Sequence, residues 1–275
     1  MRHLKPALYV FALNVIISIY LQLNNVLLGF MKDTEAVGYF TAATKIMVIT
    51  MSISSALGAV IMPRTSNLIA EERMDEFKAL VQKSYDFIFA LAMPLMVGLI
   101  FTSPSAVLLL SGEGFVPAIL TSQIVAFNIL TVGLSGVMGI QVLYPLGKIN
   151  IVILCTSIGA IINVFLNVLL IPRYGHNGTA VAYMLAEMTV TVSMFFIGKR
   201  YIPIRFLKRQ HLNYVLGSVV MGVCLYFISW LGLGNTATLV MMISMGGIVY
   251  VVILLFLRDS IGMIPWKILR EKFGK

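Results

Sequence analysis

Two ionisable residues interrupt long apolar stretches of this sequence, and they are the first candidates for chemistry. Lys45 lies in the apolar stretch 37–62, and Glu187 lies in the stretch 177–198. In a helix, each would sit about 12–15 Å from the N-terminal end of its stretch. Ionisable groups at membrane depth are costly and usually serve a function. We expect Lys45 to meet an anionic ligand and Glu187 to couple an ion, with pairing to each other or to neighbouring helices as the alternative.

A stripe of polar side chains runs along the first apolar stretch, 7–30. Asn14, Ser18, Gln22 and Asn25 are spaced by four, four and three residues, which places all four on one face of a helix. A lipid-facing helix does not need such a stripe, so the stripe either binds neighbouring helices or lines a wet cavity. Four members at helical spacing favour the cavity.

A weaker polar side occurs in the stretch 149–171, where Asn163 and Asn167 are one helical turn apart. Helix packing explains two asparagines as readily as substrate contact does. With these included, the candidate substrate-binding residues are Asn14, Ser18, Gln22, Asn25, Lys45, Asn163 and Asn167, and the candidate ion-coupling residue is Glu187.

Motifs for catalysis are lacking in the sequence. It holds no nucleophile–base pair, no phosphate-binding loop and no paired carboxylates at catalytic spacing. Its two cysteines and three histidines are too few and too scattered for a disulfide framework or a metal site. We therefore expect no catalytic residue, no metal and no cofactor, and a transporter rather than an enzyme.

The composition indicates a membrane protein made of helices. Of 275 residues, 59 % are hydrophobic and 11 % are charged, and the mean hydropathy is +0.96. Soluble domains carry about 25 % charged residues, so a soluble enzyme and a disordered chain are both excluded. We predict an all-α bundle with eight transmembrane helices, because eight stretches reach the length of about 20 residues that a helix needs to cross a membrane. The predicted spans are 7–30, 37–62, 84–110, 117–144, 149–171, 177–198, 212–232 and 236–257.

The distribution of positive charge predicts the orientation of these spans. With both termini in the cytoplasm, the inner segments hold 17 of the 20 Lys and Arg residues and the outer loops hold two. Cytoplasmic segments of membrane proteins are enriched in Lys and Arg. The net charge of +9 is therefore a sign of topology and not of nucleic-acid binding.

The segments between the spans suggest three parts. Residues 1–198 form a six-helix lobe, 199–211 form a basic cytoplasmic connector that would contact anionic lipids, and 212–275 form a two-helix hairpin with a basic tail. The loop 64–83 has apolar residues at helical spacing, which predicts a short amphipathic helix at the membrane interface.

Two shorter patterns add detail to the spans. Pro94 lies inside the third predicted span, where it predicts a bend, and Asn177-Gly178-Thr179 weakly matches the glycosylation sequon. Gly133, Gly136 and Gly139 form a GxxGxxG pattern within an apolar helix, which indicates close helix packing and not a dinucleotide-binding loop.

Three stretches resemble the polysaccharide flippases, of the O-antigen and exopolysaccharide type, in the multidrug/oligosaccharidyl-lipid/polysaccharide exporter superfamily. The stretch 24–46, NNVLLGFMKDTEAVGYFTAATKI, resembles the start of their C-terminal lobe. The stretch 60–84, with its Pro-Arg and charged run, resembles the loop after the next helix. The best match is 162–187, INVFLNVLLIPRYGHNGTAVAYMLAE. Together, in this order, the stretches are fairly specific.

The resemblance implies a fold and a function. Such flippases have two six-helix lobes, and this chain resembles the second lobe plus a terminal helix pair, so it is either a fragment or a naturally shortened protein. Family members move undecaprenyl-pyrophosphate-linked oligosaccharides from the inner to the outer leaflet of the bacterial cell membrane by alternating access. Carried over, Lys45 would hold the pyrophosphate or acidic sugars, and the helix pair would border the lipid-tail groove.

Other functions and further partners remain open at this point. The alternatives are an ion-coupled drug or metabolite antiporter of the same superfamily, or a membrane subunit of a glycan-assembly complex that transports nothing. The expected partners are a lipid-linked oligosaccharide, anionic lipids, and a first lobe or second chain to complete the path. A glycan polymerase is a further candidate partner. Nucleic acid is not expected.

Overall fold

The computed structural model describes residues 22–202, 205 and 208–257, without the side chains at 53–57 and 59. This part of the chain is helical and contains no strand. The helices are α1 (22–31), α2 (Thr34–Ala70), α3 (Met74–Ser111), α4 (Ala118–Val125), α5 (Phe127–Gly136), α6 (Ile149–Gly198), α7 (Arg209–Ser229) and α8 (Asn235–Phe256). A short 3₁₀ turn, Glu113–Phe115, precedes α4, and a π-helical segment, Val137–Leu143, follows α5.

The 50-residue helix α6 is a hairpin of two helical arms. Its continuity is interrupted at Gly175, whose φ of 54° and ψ of −131° are not helical. A Cβ at Gly178 would lie 2.6 Å from the carbonyl oxygen of Leu170, and a Cβ at Gly159 would lie 2.2 Å from Val190. Because positions before and after the turn meet in reverse order, the first arm (149–174) and the second arm (176–198) are antiparallel.

The predicted fold class is confirmed: the described part of the chain is an all-helical membrane bundle. In the described residues, five helices are long and apolar enough to cross a membrane, and one of them is the two-armed α6. The predicted span 117–144 is a composite of α4, α5 and the π-helical segment. Of the three glycines in the predicted packing pattern, Gly133 and Gly139 approach Ile88 and Met194, respectively, whereas a Cβ at Gly136 would meet no neighbouring atom within 4 Å.

The predicted interfacial helix in 64–83 is wrong. Instead α2 extends to Ala70 and α3 begins at Met74, with a tight turn between them. Leu68 of α2 is buried in one cluster with Phe77 and Val81 of α3. The apolar positions that suggested a helix lying on lipid are therefore the contact between two long antiparallel helices, which hide them from both water and lipid.

Helix α3 continues through Pro94, and another helix satisfies the backbone there. A proline has no N–H, so the carbonyl of Ala90, four residues earlier, has no donor within α3. The Tyr250 hydroxyl of α8 donates a hydrogen bond to this carbonyl oxygen at 2.6 Å. The two residues thus join α8 to the middle of α3.

At the second proline of α3, Pro104, a side chain of another helix again supplies the missing hydrogen-bond donor. Pro104 leaves the carbonyl of Ile100 without its helical donor. The side-chain amide nitrogen of Gln123 in α4 donates to that oxygen at 3.2 Å. Side chains from two different helices therefore replace the two missing backbone donors of α3.

The last two helices form a pair that packs on α3. A Cβ at Gly222 of α7 would lie 3.0 Å from both Val97 and Phe101 of α3. Within the pair, a Cβ at Gly217 would lie 3.2 Å from the Tyr250 ring. These small residues let α7 approach α3 and α8 closely, as is common for helices in membranes.

Candidate functional site

A cavity of about 370 Å³ opens between α1, α2 and the second arm of α6. Lys45 lies in its wall and is exposed. Lys45 makes no ion pair with any carboxylate in the described part of the chain. The polar groups of the lining are Gln22, Asn24, Asn25, Thr44, Lys45 and Tyr183. The cavity thus presents an uncompensated positive charge among neutral hydrogen-bonding groups, which suits an anionic ligand.

Half of the predicted polar stripe can be located. Gln22 is exposed and lines the cavity, and Asn25 lines it while accepting a 3.4 Å hydrogen bond from the Thr41 hydroxyl. Asn14 and Ser18 lie outside the described residues. The stripe therefore faces a cavity for those members that the structure shows.

Three asparagines form a buried hydrogen-bonded group beside the cavity. The amide nitrogen of Asn167 donates to Oδ1 of Asn24 at 2.9 Å and to Oδ1 of Asn163 at 3.1 Å. The amide nitrogen of Asn163 and Oδ1 of Asn167 have no hydrogen-bond partner. Buried polar groups without partners are costly, so this group retains capacity for a ligand, ion or water. Only Asn24 of the three lines the cavity itself.

Glu187 lies in the second arm of α6 and outside the cavity wall. Its residue is 9 % exposed, and its backbone carbonyl accepts a hydrogen bond from Thr191. The antiparallel register of the α6 arms places Glu187 at the level of Asn163. Tyr183, one turn before Glu187, lines the cavity.

Sequence reasoning missed Asn128 of α5. Asn128 is fully buried, and neither its amide nitrogen nor its amide oxygen has a hydrogen-bond partner. The Thr191 hydroxyl donates to the Thr131 carbonyl at 2.9 Å, so Asn128 lies about one turn from that contact, as Glu187 does. An amide in the middle of a predicted span was the signal that could have found it.

A second, larger cavity of about 820 Å³ forms an apolar groove between α2, α3, α7 and α8. Only Thr50, Thr102 and Tyr250 bring polar side chains to its wall. Its volume is in the usual range for small-molecule sites. With almost no hydrogen-bonding capacity, the groove can accept hydrocarbon and little else.

The polar cavity and the apolar groove share one lining residue of α2. Ile49 lines both of them, one turn after Lys45. An amphiphilic ligand could therefore place its charged end near Lys45 and its hydrocarbon end past Ile49. This arrangement is the strongest functional feature of the described residues.

A charged cluster that sequence reasoning missed ties the connector to α3. Asp86 of α3 accepts hydrogen bonds at Oδ2 from the Lys208 ammonium at 2.6 Å and at Oδ1 from the Gln82 amide at 2.8 Å. Nε2 of His211 is 3.0 Å from Oδ1 of Asp86. The backbone N–H of Lys208 donates to Nδ1 of His211 at 3.1 Å, so the ring carries its proton on Nε2. An Asp inside a predicted span was the available signal.

The glycosylation sequon is part of a packed turn between the arms of α6. The Thr121 hydroxyl donates to Oδ1 of Asn177 at 2.8 Å and lies 2.7 Å from Nδ1 of His176. Thr179, the third residue of the sequon, is fully buried. Burial lowers the pKa of His176 from its ordinary value, and the nearby Asp33 acts in the opposite sense. In this fold the side chain of Asn177 is hydrogen-bonded to Thr121, so Asn177 is poorly placed to accept a glycan.

Comparisons with known proteins show what this chain is similar to. A family model described as "Polysaccharide biosynthesis protein" matches residues 3–120. The chain is 24 % identical to the "Probable low-salt glycan biosynthesis flippase Agl15" of Haloferax volcanii over 237 residues, which is 86 % of this chain and 50 % of that protein. It is also 21 % identical to the "Uncharacterized membrane protein MJ1068" of Methanocaldococcus jannaschii, covering 63 % of this chain and 34 % of that protein.

A solved structure shares the fold. The lipid II flippase MurJ, in an inward closed conformation, superimposes with a TM-score of 0.76 at 17 % identity, covering 94 % of this chain and 56 % of MurJ. The chain thus spans between 34 % and 56 % of the length of the proteins it matches. These findings confirm the resemblance to polysaccharide flippases of the multidrug/oligosaccharidyl-lipid/polysaccharide exporter superfamily.

Proposed function

We propose that this chain forms one lobe of a flippase for lipid-linked oligosaccharides. The observation that carries the proposal is that Ile49 lines both a lysine-bearing polar cavity and an apolar groove. A lipid-linked oligosaccharide has an anionic, hydroxyl-rich head and a long hydrocarbon tail, which match the two compartments. The names of Agl15 and MurJ as flippases add independent support.

The specific cargo that we propose is an undecaprenyl-pyrophosphate-linked repeat unit of O-antigen or exopolysaccharide type. Lys45 would attract the pyrophosphate, and the asparagines of α1 and α6 would meet sugar hydroxyls. Movement would run from the inner to the outer leaflet of the bacterial inner membrane, with both termini in the cytoplasm. Since alternating access needs two walls, the other wall would come from a first lobe or a second chain. The connector would contact anionic lipids.

Glu187 is proposed as the ion-coupling residue. It is a carboxylate within a predicted span, at the level of Asn163 in the α6 hairpin, and the amide nitrogen of Asn163 has no hydrogen-bond partner. Carboxylates at membrane depth often carry protons or ions in transporters. Replacing it, as in Glu187→Gln, should uncouple transport from the ion gradient while leaving cargo binding in place.

The two compartments can be blocked separately. Lys45→Ala removes the charge of the polar cavity, whereas Gly247→Leu fills the groove, because a Cβ at Gly247 meets no atom within 4 Å. Each should fail to complement a deletion strain that accumulates lipid-linked repeat units on the inner leaflet. Gly136→Leu is the matched control, since Gly136 has equal free space but lies outside the groove.

Accumulation of lipid-linked repeat units in the deletion strain distinguishes a flippase from the alternative functions. If a deletion strain keeps normal surface glycan and changes only in drug resistance, the antiporter alternative replaces the flippase. If Gly247→Leu complements as well as Gly136→Leu does, the groove does not carry the lipid tail.

A further inference from the structure

Tyr250 has two roles in the geometry of α8. Its side chain lines the apolar groove, and its hydroxyl reaches across to donate to the Ala90 carbonyl at 2.6 Å. The residue is 8 % exposed. A buried tyrosine hydroxyl normally needs a partner, and this one has found a backbone carbonyl of the opposite wall.

The partner carbonyl is available only because of Pro94. In an uninterrupted helix the N–H of residue 94 would bind the oxygen of Ala90, and proline removes that donor. A buried carbonyl without a donor is costly. Pro94 therefore leaves the Ala90 carbonyl without a helical donor, and the Tyr250 hydroxyl of α8 supplies one. Both Pro94 and Tyr250 lie in the wall of the same groove.

The ring of Tyr250 is also held from the side. A Cβ at Gly217 of α7 would come within 3.2 Å of this ring. The ring is thus set between α7 and α3, and the hydroxyl fixes how closely α8 approaches the Pro94 region. The contact between α7 and α3 does not depend on the Tyr250 hydrogen bond, because Asp86 of α3 binds Lys208 and His211 separately.

We propose that Tyr250 is a positioning residue for the hydrocarbon tail: by binding the carbonyl that Pro94 leaves free, it sets the distance between α3 and α8 and so the width of the groove. This inference rests on the proposed function, because it takes the groove to hold the tail of the cargo. Tyr250 acts through Ala90 and Pro94, because its hydroxyl fixes the distance between the two walls of the groove.

A double-mutant cycle tests the coupling between the two residues. In wild type, Tyr250→Phe should lower the folded-to-unfolded ratio about fivefold, as expected when one buried hydrogen bond is lost. In a Pro94→Ala background the restored N–H can serve Ala90, so the same change should cost less than about twofold. Equal costs in both backgrounds would overturn the proposal. Tyr226→Phe, in the exposed part of α7, is the control.

A second measurement separates tail positioning from mere stability. The full chain in lipid nanodiscs is photolabelled with diazirine-bearing palmitic acid, and the labelled residues are mapped by mass spectrometry. We expect label at Met242 in the groove, with a clearly lower yield in Tyr250→Phe than in wild type and a smaller effect of the same change in the Pro94→Ala background. Tyr226→Phe should leave it unchanged.

The outcomes distinguish this inference from the function on which it rests. If Met242 is labelled equally in wild type and Tyr250→Phe, Tyr250 is only structural and the inference fails while the groove stands. If wild type takes no label in the groove, the tail site of the proposed function fails, and tail positioning fails with it. The unfolding cycle would then still report on the hydrogen bond itself.

Discussion

Two charged regions of the bundle differ in how their charges are satisfied. Asp86 in α3 contacts an ammonium, an imidazole and an amide, and its side chain is 12 % exposed. Lys45 in α2 is exposed to a polar cavity and has no carboxylate partner among the described residues. The charge of Asp86 is paired within the protein, whereas the charge of Lys45 has no such partner and is available to a ligand.

The difference separates holding the fold from binding a ligand. A buried charge whose partners are all present is expensive to disturb but has nothing left to offer a ligand. An unpaired lysine in a cavity costs little to replace but attracts anions. The Asp86 cluster therefore fastens the α7–α8 pair to α3, whereas the Lys45 cavity is the site that we propose for an anionic cargo.

Removing the Asp86 carboxylate should give the largest effect, and the effect should be on stability. Asp86→Ala leaves Lys208 and the buried His211 without their acceptor, which should cost about 2–3 kcal/mol of unfolding free energy after allowance for the partial exposure of Lys208. Thermal unfolding in detergent measures it. Asp75→Ala is the control, because Asp75 is 99 % exposed although it also pairs with a lysine. Equal losses in both variants would show that the cluster does not anchor the helix pair.

Removing the Lys45 charge should act on transport and leave the fold intact. Lys45→Ala should lower transport about 10–100-fold, the range expected for one charge-assisted hydrogen bond to an anion, with less than about 0.5 kcal/mol change in stability. Lys45→Arg should keep most of the transport. A stability loss as large as that of Asp86→Ala would instead assign Lys45 to the structure.

His176 is an intermediate case and should give the smallest effect. Its pKa is lowered by burial, so below the ordinary value of 6.5 the unfolded chain takes up a proton that the folded chain resists. Stability from this group is present above that pH and is lost as the pH falls through the lowered pKa. His176→Phe keeps a ring against Tyr39 and should flatten this part of the pH dependence of unfolding. An unchanged pH profile would exclude His176 as its source.

The sequence predicted the helices well because hydropathy and helix length are local properties. The spans around α3, α7 and α8 agree with the structure within a few residues, apart from the extension of α3 toward Met74. The segment 64–83 could not be assigned correctly, since an apolar stripe at helical spacing looks the same whether it faces lipid or a second helix. Only the contact of Leu68 with the start of α3 distinguishes the two.

The candidate site was partly predictable for a similar reason. Helical spacing placed Gln22 and Asn25 on one side of α1, and the structure brings them into one cavity with Lys45. Helical spacing could not reveal that Asn24, on the neighbouring face of α1, accepts a hydrogen bond from Asn167. Contacts between helices far apart in sequence depend on packing, and no local pattern encodes them.

The apolar groove has a thermodynamic consequence of its own. In water, a site of that kind would bind hydrocarbon by the hydrophobic effect, but lipid tails are as apolar as the groove wall. Replacing a membrane lipid tail in the groove by a cargo tail would therefore move hydrocarbon between two equally apolar environments, with little change in free energy. In the proposed flippase, discrimination among lipids would then depend on the contact between the headgroup and Lys45, and the groove would let a tail enter and leave without slowing turnover.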